Sequence, residues 1–305
     1  MVDILLATYN GEKYIEAQIL SIISQSFKDW NLIIHDDGST DRTVEIIKHY
    51  EEIDSRISLI VDDVHIGSAP QNFMHLLQYS KSDLIMFCDQ DDIWFDNKVA
   101  IMVSVMKNQD NSHPVAAYCQ MYLWKPQKGI IGIDGMIIEE RNMNDFLFHN
   151  GGIHGCAACL NSCARDLMNN YKGHIAMHDH LLNFICLAFG KVIPVKIPLQ
   201  LYRQHGQNVT GISKYALTFW ERLLNSLSEK NPVVDKSHYL AFHDMYNFYH
   251  TQLEAKDRET LNAYLSMIDD NIVMKLYKII KKGYRKRGSI FKLIIKTIIH
   301  PYYNR

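Results

Sequence analysis

The sequence contains no apolar run of 18 or more residues, so it predicts no transmembrane helix. It shows no internal repeat and no low-complexity segment, which excludes solenoid and fibrous architectures. Met1 leads straight into an apolar stretch, so no signal peptide is expected and the reducing cytosol is the expected compartment. There the six cysteines, Cys88, Cys119, Cys156, Cys159, Cys163 and Cys186, stay free thiols. Cys156-x-x-Cys159-x-x-x-Cys163, with His154 nearby, has a spacing that metal sites use, but a metal role is not expected there. Cys156 to Leu160 reads instead as a buried strand. Acidic residues are missing from Lys275 to Arg305, where ten Lys or Arg accumulate. The net charge of –2 therefore divides into +10 on that tail and –12 on residues 1–274.

What is present suits an enzyme. A chain of 305 residues with 47% hydrophobic content can bury a sizeable core, as one large α/β domain plus a smaller appendage. The most informative stretch is Leu84 to Trp94. Its apolar run reads as a buried strand and ends in Asp89-Gln90-Asp91-Asp92, three carboxylates within four positions. Clustered carboxylates repel one another and call for a cation. Two upstream runs repeat the pattern. Val2 to Ala7 precedes Thr8-Tyr9-Asn10-Gly11-Glu12, and Leu32-Ile33-Ile34 precedes His35-Asp36-Asp37-Gly38-Ser39-Thr40-Asp41. Three strands ending in polar, acidic loops at one edge of a parallel sheet make a ligand site.

The predicted strands are 2–7, 31–35, 57–61, 84–88 and 115–123. Predicted helices lie near 13–26, 41–51, 70–80 and 96–107, with Tyr14, Ile15, Ile19, Ile22 and Ile23 on one face of the first and Pro70 in the first turn of the third. Ser39, Thr40 or Asp41 can cap the second helix. Further on, Val192 to Tyr202 is strand-like, Leu181 to Phe189 is an apolar helix, and residues 211–305 read as all helical.

These motifs, in order, resemble family 2 glycosyltransferases of the GT-A fold: Ala7-Thr8-Tyr9-Asn10-Gly11, Asp36 to Asp41, Asp89-Gln90-Asp91-Asp92, Met177-His178-Asp179, and Tyr202-Arg203-Gln204-His205-Gly206-Gln207-Asn208. Among them the pattern is most similar to bacterial rhamnosyltransferases of cell-wall, capsule or O-antigen polysaccharide synthesis. His180 stands where that group usually has Trp, a departure that bears on the sugar or acceptor and not on the reaction class. The implied fold is α/β, a mostly parallel Rossmann-like sheet flanked by helices, with a helical C-terminal region. The implied division is 1–124 for nucleotide-sugar binding, 125–210 for acceptor binding and 211–305 for the helical region.

The resemblance implies an inverting, metal-dependent transfer from a dTDP- or UDP-sugar to a saccharide or lipid-linked saccharide. L-Rhamnose from dTDP-rhamnose is the first expectation, and a UDP-hexose or UDP-N-acetylhexosamine the alternative. Asp91, with His205, is the implied metal site, for Mn²⁺ or Mg²⁺. Asp89 reaches the ribose, or the metal through water, and Asp92 orients sugar hydroxyls or another ligand. Thr8, Asn10, Glu12, Asp36 and Asp37 line the nucleotide. Arg203 can offer a charge-assisted fork to the diphosphate, although Arg203 to Asn208 would equally suit a solvated surface loop. Asp179 is the implied general base; read locally, it could equally cap the helix that follows. Asp37-Gly38 likewise fits an ordinary turn.

The tail interleaves its charges with Phe291, Leu293, Ile294, Ile295, Ile298 and Ile299. A basic amphipathic segment predicts an anionic membrane surface, here the inner face of the cytoplasmic membrane, with the protein peripheral to it. The other expectation is a helix that packs on the protein or joins a homodimer. No nucleic-acid partner is expected.

Overall fold

The computed structural model describes residues 1–134, 142–149, 153–205 and 232–303. Its centre is a nine-stranded sheet in the order β3-β2-β1-β4-β8-β6-β9-β5, with β7 paired to β6. The strands are β1 Val2–Thr8, β2 Trp30–Asp36, β3 Ile57–Leu59, β4 Leu84–Asp89, β5 Ile93–Trp94, β6 Val115–Lys125, β7 Gly129–Asp134, β8 Ala158–Asn161 and β9 Lys191–Arg203. The helices are α1 Ile15–Ile23, α2 Thr43–Ile53, α3 Ala69–Leu77, α4 Lys98–Lys107, α5 Met143–Phe146, α6 Ser162–Asn170 and α7 His178–Phe189. Beyond residue 231 come α8 Lys236–Tyr249, α9 Ala255–Ser266, α10 Ile272–Lys282 and α11 Ile290–Ile299.

The first half of the sheet is parallel, because helices cover both faces and each strand returns by a helical crossover. Register brings Thr8 opposite Asp36 and Ala7 opposite Asp89, so β1, β2 and β4 end together at one edge. The three acidic loops expected to share an edge do so. The second half is mixed: β8 runs antiparallel to β4 and β6, while β9 is parallel to β6 and antiparallel to β5. The strand expected over Cys156 to Leu160 begins two residues later, after a 3₁₀ turn at Gly155–Ala157.

Alternation along each strand divides the interior into two cores. On β1, Val2, Ile4 and Leu6 face α1, α2 and α4, while Leu5 faces α3, α6 and α7. The second core continues into the C-terminal helices. Phe242, Met245 and Tyr249 of α8 pack with Phe184 of α7, and Tyr264 of α9 meets Phe148 at a ring separation of 5.1 Å. Each such fully buried side chain stabilises the fold by about 1.5–3 kcal/mol. The helical C-terminal region is therefore part of the main body's core.

Candidate functional site

The loops after β1 and β2 are tied together by the motif residues themselves. Thr8 Oγ1 donates to Asp36 Oδ2 at 2.7 Å, and Asp36 also accepts from the Ser39 N–H and hydroxyl. Asn10 sits at φ 46°, its N–H on Ser39 Oγ and its Oδ1 accepting the Thr40 N–H. Glu12 accepts the Arg42 N–H. Asp37 accepts the N–H groups of Ile66 and Gly67, drawing in the loop after β3. A carboxylate has about four lone-pair sites; Asp36 accepts three bonds and Asp37 two, so these contacts position both without exhausting them. Ser39 and Thr40 serve this loop network, and Asp41 bonds the N–H and hydroxyl of Thr43 at the start of α2.

Gln90, between the carboxylates, locks β4 to β1: its Oε1 accepts the Tyr9 N–H and its Nε2 donates to the Tyr9 carbonyl, both at 3.0 Å. A Cβ on Gly11 would lie 2.3 Å from Gln90 Oε1, so a side chain there would displace the Gln90 amide that bonds Tyr9.

Asp91 and His205, 114 residues apart, meet at 2.6 Å through Oδ2 and Nε2. His205 stacks on Tyr14, with ring centroids 5.0 Å apart. The Arg203 guanidinium lies over Trp124 and Tyr14, at 4.4 and 4.9 Å, and its Nε donates to the Asp91 carbonyl. Arg203 is buried and packed, unlike the solvated loop that its polar neighbours also suggested. Gly206-Gln207-Asn208 lie outside the described residues.

Asp92 corrects an expectation. It is fully buried, accepting the Arg203 N–H and the Gln200 side-chain amide, so it holds β9 in place and does not reach sugar hydroxyls. Burial, then the charges of Asp91 and Asp89, push its carboxyl well above the usual range. Behind it lies a group that the sequence did not reveal. Lys98, also fully buried, donates to the Cys156 carbonyl and to Gln200 Oε1 and caps the Trp94 ring at 3.6 Å. Lys98 opens an apolar helix and Gln200 sits in an apolar strand, so only the tertiary structure joins them.

Asp89 is partly exposed. Burial, then repulsion from Asp91, raise its carboxyl to about 7, with Asp179 adding a further push. That repulsion is what a bound cation relieves, and Asp91 and His205 offer one oxygen and one imidazole donor beside it. Asp89, Asp92 and the Cys156 thiol form a second group, with ligand atoms within 4.8 Å of one another. Burial keeps Cys156 protonated by pushing its thiol well up, which disfavours it as a thiolate ligand. Cys159 is buried in the core, and neither it nor Cys163 joins a metal-ligating group among the described residues.

Asp179 lies in the first turn of α7, whose N-cap is Met177. Its Oδ2 accepts the Gly155 N–H at 3.0 Å, and its Oδ1 is buried without a hydrogen-bond partner among the described residues. It is therefore not the helix cap. Its neighbours point elsewhere. His178 packs between Phe73 and Phe87, and its Nε2 would lie 2.2 Å from a Cβ on Gly155. His180 is fully buried among Phe146, Phe242 and His238, with burial pushing it well below the ordinary histidine value. The His-for-Trp departure thus falls at a position packed in the core.

The sequence profile of Glycosyl transferase family 2 matches residues 3–164, more than half of the chain. The dTDP-rhamnosyl transferase RfbG of Shigella flexneri is 28% identical over 221 residues, covering 68% of this chain and 73% of that protein. The Escherichia coli UDP-Glc:alpha-D-GlcNAc-diphosphoundecaprenol beta-1,3-glucosyltransferase WfgD is 35% identical over 118 residues. That match covers 39% of this chain and less than half of WfgD, 46%. Among solved structures, S. aureus TarS 1-349 in complex with UDP-GlcNAc superposes with a TM-score of 0.57 at 12% identity, covering 97% of this chain and 90% of that one. The mannosyltransferase PcManGT from Pyrobaculum calidifontis, in complex with GDP-Man and Mn²⁺, gives 0.53 at 13% identity, covering 97% and 86%. The architecture is that of GT-A transferases, and the chain belongs to glycosyl transferase family 2.

Proposed function

We propose that this glycosyltransferase moves L-rhamnose from dTDP-rhamnose, with inversion, to a saccharide or lipid-linked saccharide in bacterial surface polysaccharide synthesis. The observation that carries the chemistry is the meeting of Asp91 with His205 at one sheet edge, alongside Asp89, Arg203 and the unpartnered Oδ1 of Asp179. The sugar rests on the likeness to RfbG, which covers 68% of this chain.

In this reading Thr8, Asn10, Glu12, Asp36 and Asp37 receive the base and ribose, and residues 125–210 receive the acceptor. Asp91 and His205, with Asp89 directly or through water, hold Mn²⁺ or Mg²⁺. When bound, that ion supplies positive charge to the departing diphosphate. Arg203, fixed by its ring stack, adds a second positive charge. Asp179 accepts the acceptor hydroxyl proton on its free oxygen, while the Gly155 N–H holds the other oxygen still.

A UDP-hexose donor is the second reading, favoured by the 35% identity to WfgD over 118 residues. A transfer screen with dTDP-rhamnose and common UDP-sugars, each with Mn²⁺ and Mg²⁺, tests both. Turnover of dTDP-rhamnose alone supports the first reading, and preference for a UDP-sugar replaces it with the second.

The proposed site of work is the inner face of the cytoplasmic membrane. No helix among the described residues is long and apolar enough to cross a membrane. Helices α10 and α11, however, expose Val273, Tyr277, Ile280, Phe291, Ile295 and Ile298 among the basic residues of the tail. Each Lys or Arg near an anionic leaflet contributes about 1 kcal/mol. WfgD's name includes a diphosphoundecaprenol-linked acceptor, which fits a membrane-bound substrate for this protein too. A homodimer through the same face is the alternative.

A further inference from the structure

His35 ends its strand beside Asp36 and Asp37 but belongs to a different group. It is buried and faces Asp62, in the loop after β3, and His75 of α3. His35 Nε2 lies 3.1 Å from Asp62 Oδ1, and His75 Nε2 lies 2.8 Å from Asp62 Oδ2. The two rings meet edge to face at 4.7 Å, and the three ligand atoms lie within 4.8 Å of one another.

The other nitrogen of His35 shows what the group is suited for. Nδ1 is 2.7 Å from Asn72 Oδ1, and the Asn72 amide nitrogen faces the His35 carbonyl at 3.5 Å, which fixes the amide with its oxygen toward the ring. Both ring nitrogens therefore face oxygen acceptors. A neutral imidazole carries only one N–H. With that proton on Nδ1, the Nε2 lone pair points at a carboxylate oxygen. A cation placed between them turns this repulsion into coordination. An amide oxygen that accepts the distal N–H is the usual support for a metal-bound histidine.

We propose that His35, Asp62 and His75 form a second divalent-metal site, separate from the donor edge and suited to Zn²⁺. Two imidazoles and one carboxylate are zinc donors that leave a fourth tetrahedral position. Water fills it, or the Tyr79 hydroxyl, which already lies 3.1 Å from Asp62 Oδ2. Tyr79 is 40% exposed, so the ion has a path in from solvent.

The site has a structural task. Residues 61–68 carry no helix or strand. One end of this loop holds Asp62, and the other delivers the Ile66 and Gly67 N–H groups to Asp37. An ion joining Asp62 to β2 and α3 fixes the loop against the carboxylate that, on the reading above, faces the nucleobase. Zinc loading should then lower the donor KM and leave kcat unchanged; this last consequence alone rests on that reading.

The test is metal binding by full-length protein stripped with a chelator, with Mg²⁺ in excess to occupy the donor edge. Co²⁺ serves as the optical probe and Zn²⁺ as the thermal one. One Co²⁺ per chain with visible d–d bands is expected in the wild type and in Asp91→Asn, and none in His75→Gln. Zn²⁺ should raise Tm in the first two and not in the third. His75→Cys should retain one Co²⁺ per chain and add a thiolate charge-transfer band while melting at the wild-type Tm, so that the six native thiols stay in the fold and do not supply the band. Absence of d–d bands in the wild type overturns the proposal, as do bands lost in Asp91→Asn but kept in His75→Gln. The group would then be a hydrogen-bonded His–Asp–His cluster that holds the loop without an ion.

Discussion

The donor edge and the C-terminal helices are built from opposite materials. At the edge, side chains are polar and held by hydrogen bonds to partners far away in sequence: Asp91 to His205, Asp92 to Gln200, Asn10 to Thr40. In α8 to α11, the contacts are aromatic and aliphatic, with Phe242, Tyr249 and Tyr264 wholly inside and a second apolar set wholly outside. Like charges gathered at the edge cost stability and are retained for chemistry. Buried rings supply stability and carry no charge. Activity and stability should therefore be separable by region.

The largest separation is expected from Asp91→Asn. Transfer should fall by at least about 10²–10³-fold, the usual cost of losing one electrostatic stabiliser of a developing charge. The melting temperature should hold or rise, because one member of a repelling carboxylate group becomes neutral. Full activity in excess EDTA would sink the metal assignment. Asp179→Asn comes next, with a rate loss of about 10²–10⁴-fold and donor binding intact. The substituted amide can still accept the Gly155 N–H through its oxygen, so the helix start is preserved. Near-native turnover would leave Asp179 as a residue that only anchors Gly155.

Phe242→Ala should show the reverse. It empties a fully buried site that touches Phe146, His180 and Tyr264, at a cost of about 3–5 kcal/mol in unfolding free energy. Activity per folded molecule should stay within about twofold of the wild type. A rate loss as large as that of Asp179→Asn would mean that the two regions are coupled through α7.

Much of the edge was legible in the sequence because parallel strands buried on both faces read as unbroken apolar runs, and their carboxylates stand out where the runs stop. Val2–Thr8, Trp30–Asp36 and Leu84–Asp89 fall within one residue of expectation at each end. Strand β5 was not legible, since Ile93–Trp94 is too short to show a period. Lys98 was not, because its partners lie 58 and 102 residues away and a Lys at a helix start reads as solvated. Tyr14 was assigned to an apolar helix face, yet it is the ring on which His205 and Arg203 rest. His180 marked a departure from the family pattern, but sequence alone could not tell a core position from a substrate contact.

A smaller effect probes the cost at the edge itself. Asp89 has a carboxyl raised to about 7, against about 3.9 in an unfolded chain. The metal-free native state thus holds a proton that the unfolded state has lost, and its stability should fall as pH rises from about 4 to about 7, then level off. Metal must displace that proton below pH 7. Apparent Mn²⁺ affinity should therefore rise by up to about tenfold per pH unit toward 7 and flatten above it. Calorimetry in two buffers of different ionisation enthalpy reads the released proton directly. A flat affinity between about pH 5.5 and 7 would show that Asp89 is already ionised.

The last prediction concerns the outer face of the C-terminal helices and is the gentlest to the fold. Deleting the whole tail would not test it cleanly, because Ile279, Tyr284 and Leu293 are buried and the Tyr284 hydroxyl donates to the Thr260 carbonyl at 2.6 Å. Surface changes avoid that damage. Ile280, Phe291 and Ile298 are each more than half exposed, so replacing all three with Ser should alter stability by less than about 0.5 kcal/mol per site. If the face enters a bilayer interface, the triple variant loses part of about 1.5–3 kcal/mol at each position, enough to weaken vesicle binding at least tenfold. The remaining attraction is electrostatic and should fade with added salt, since the Debye length shrinks to about 3 Å at 1 M. Hydrolysis of a soluble donor should be unaffected, because none of these residues touches the edge. Co-sedimentation with anionic and neutral vesicles decides the matter. Equal pelleting of wild type and variant would leave the face to a second copy of the chain, which sedimentation velocity of the two forms without lipid would then reveal.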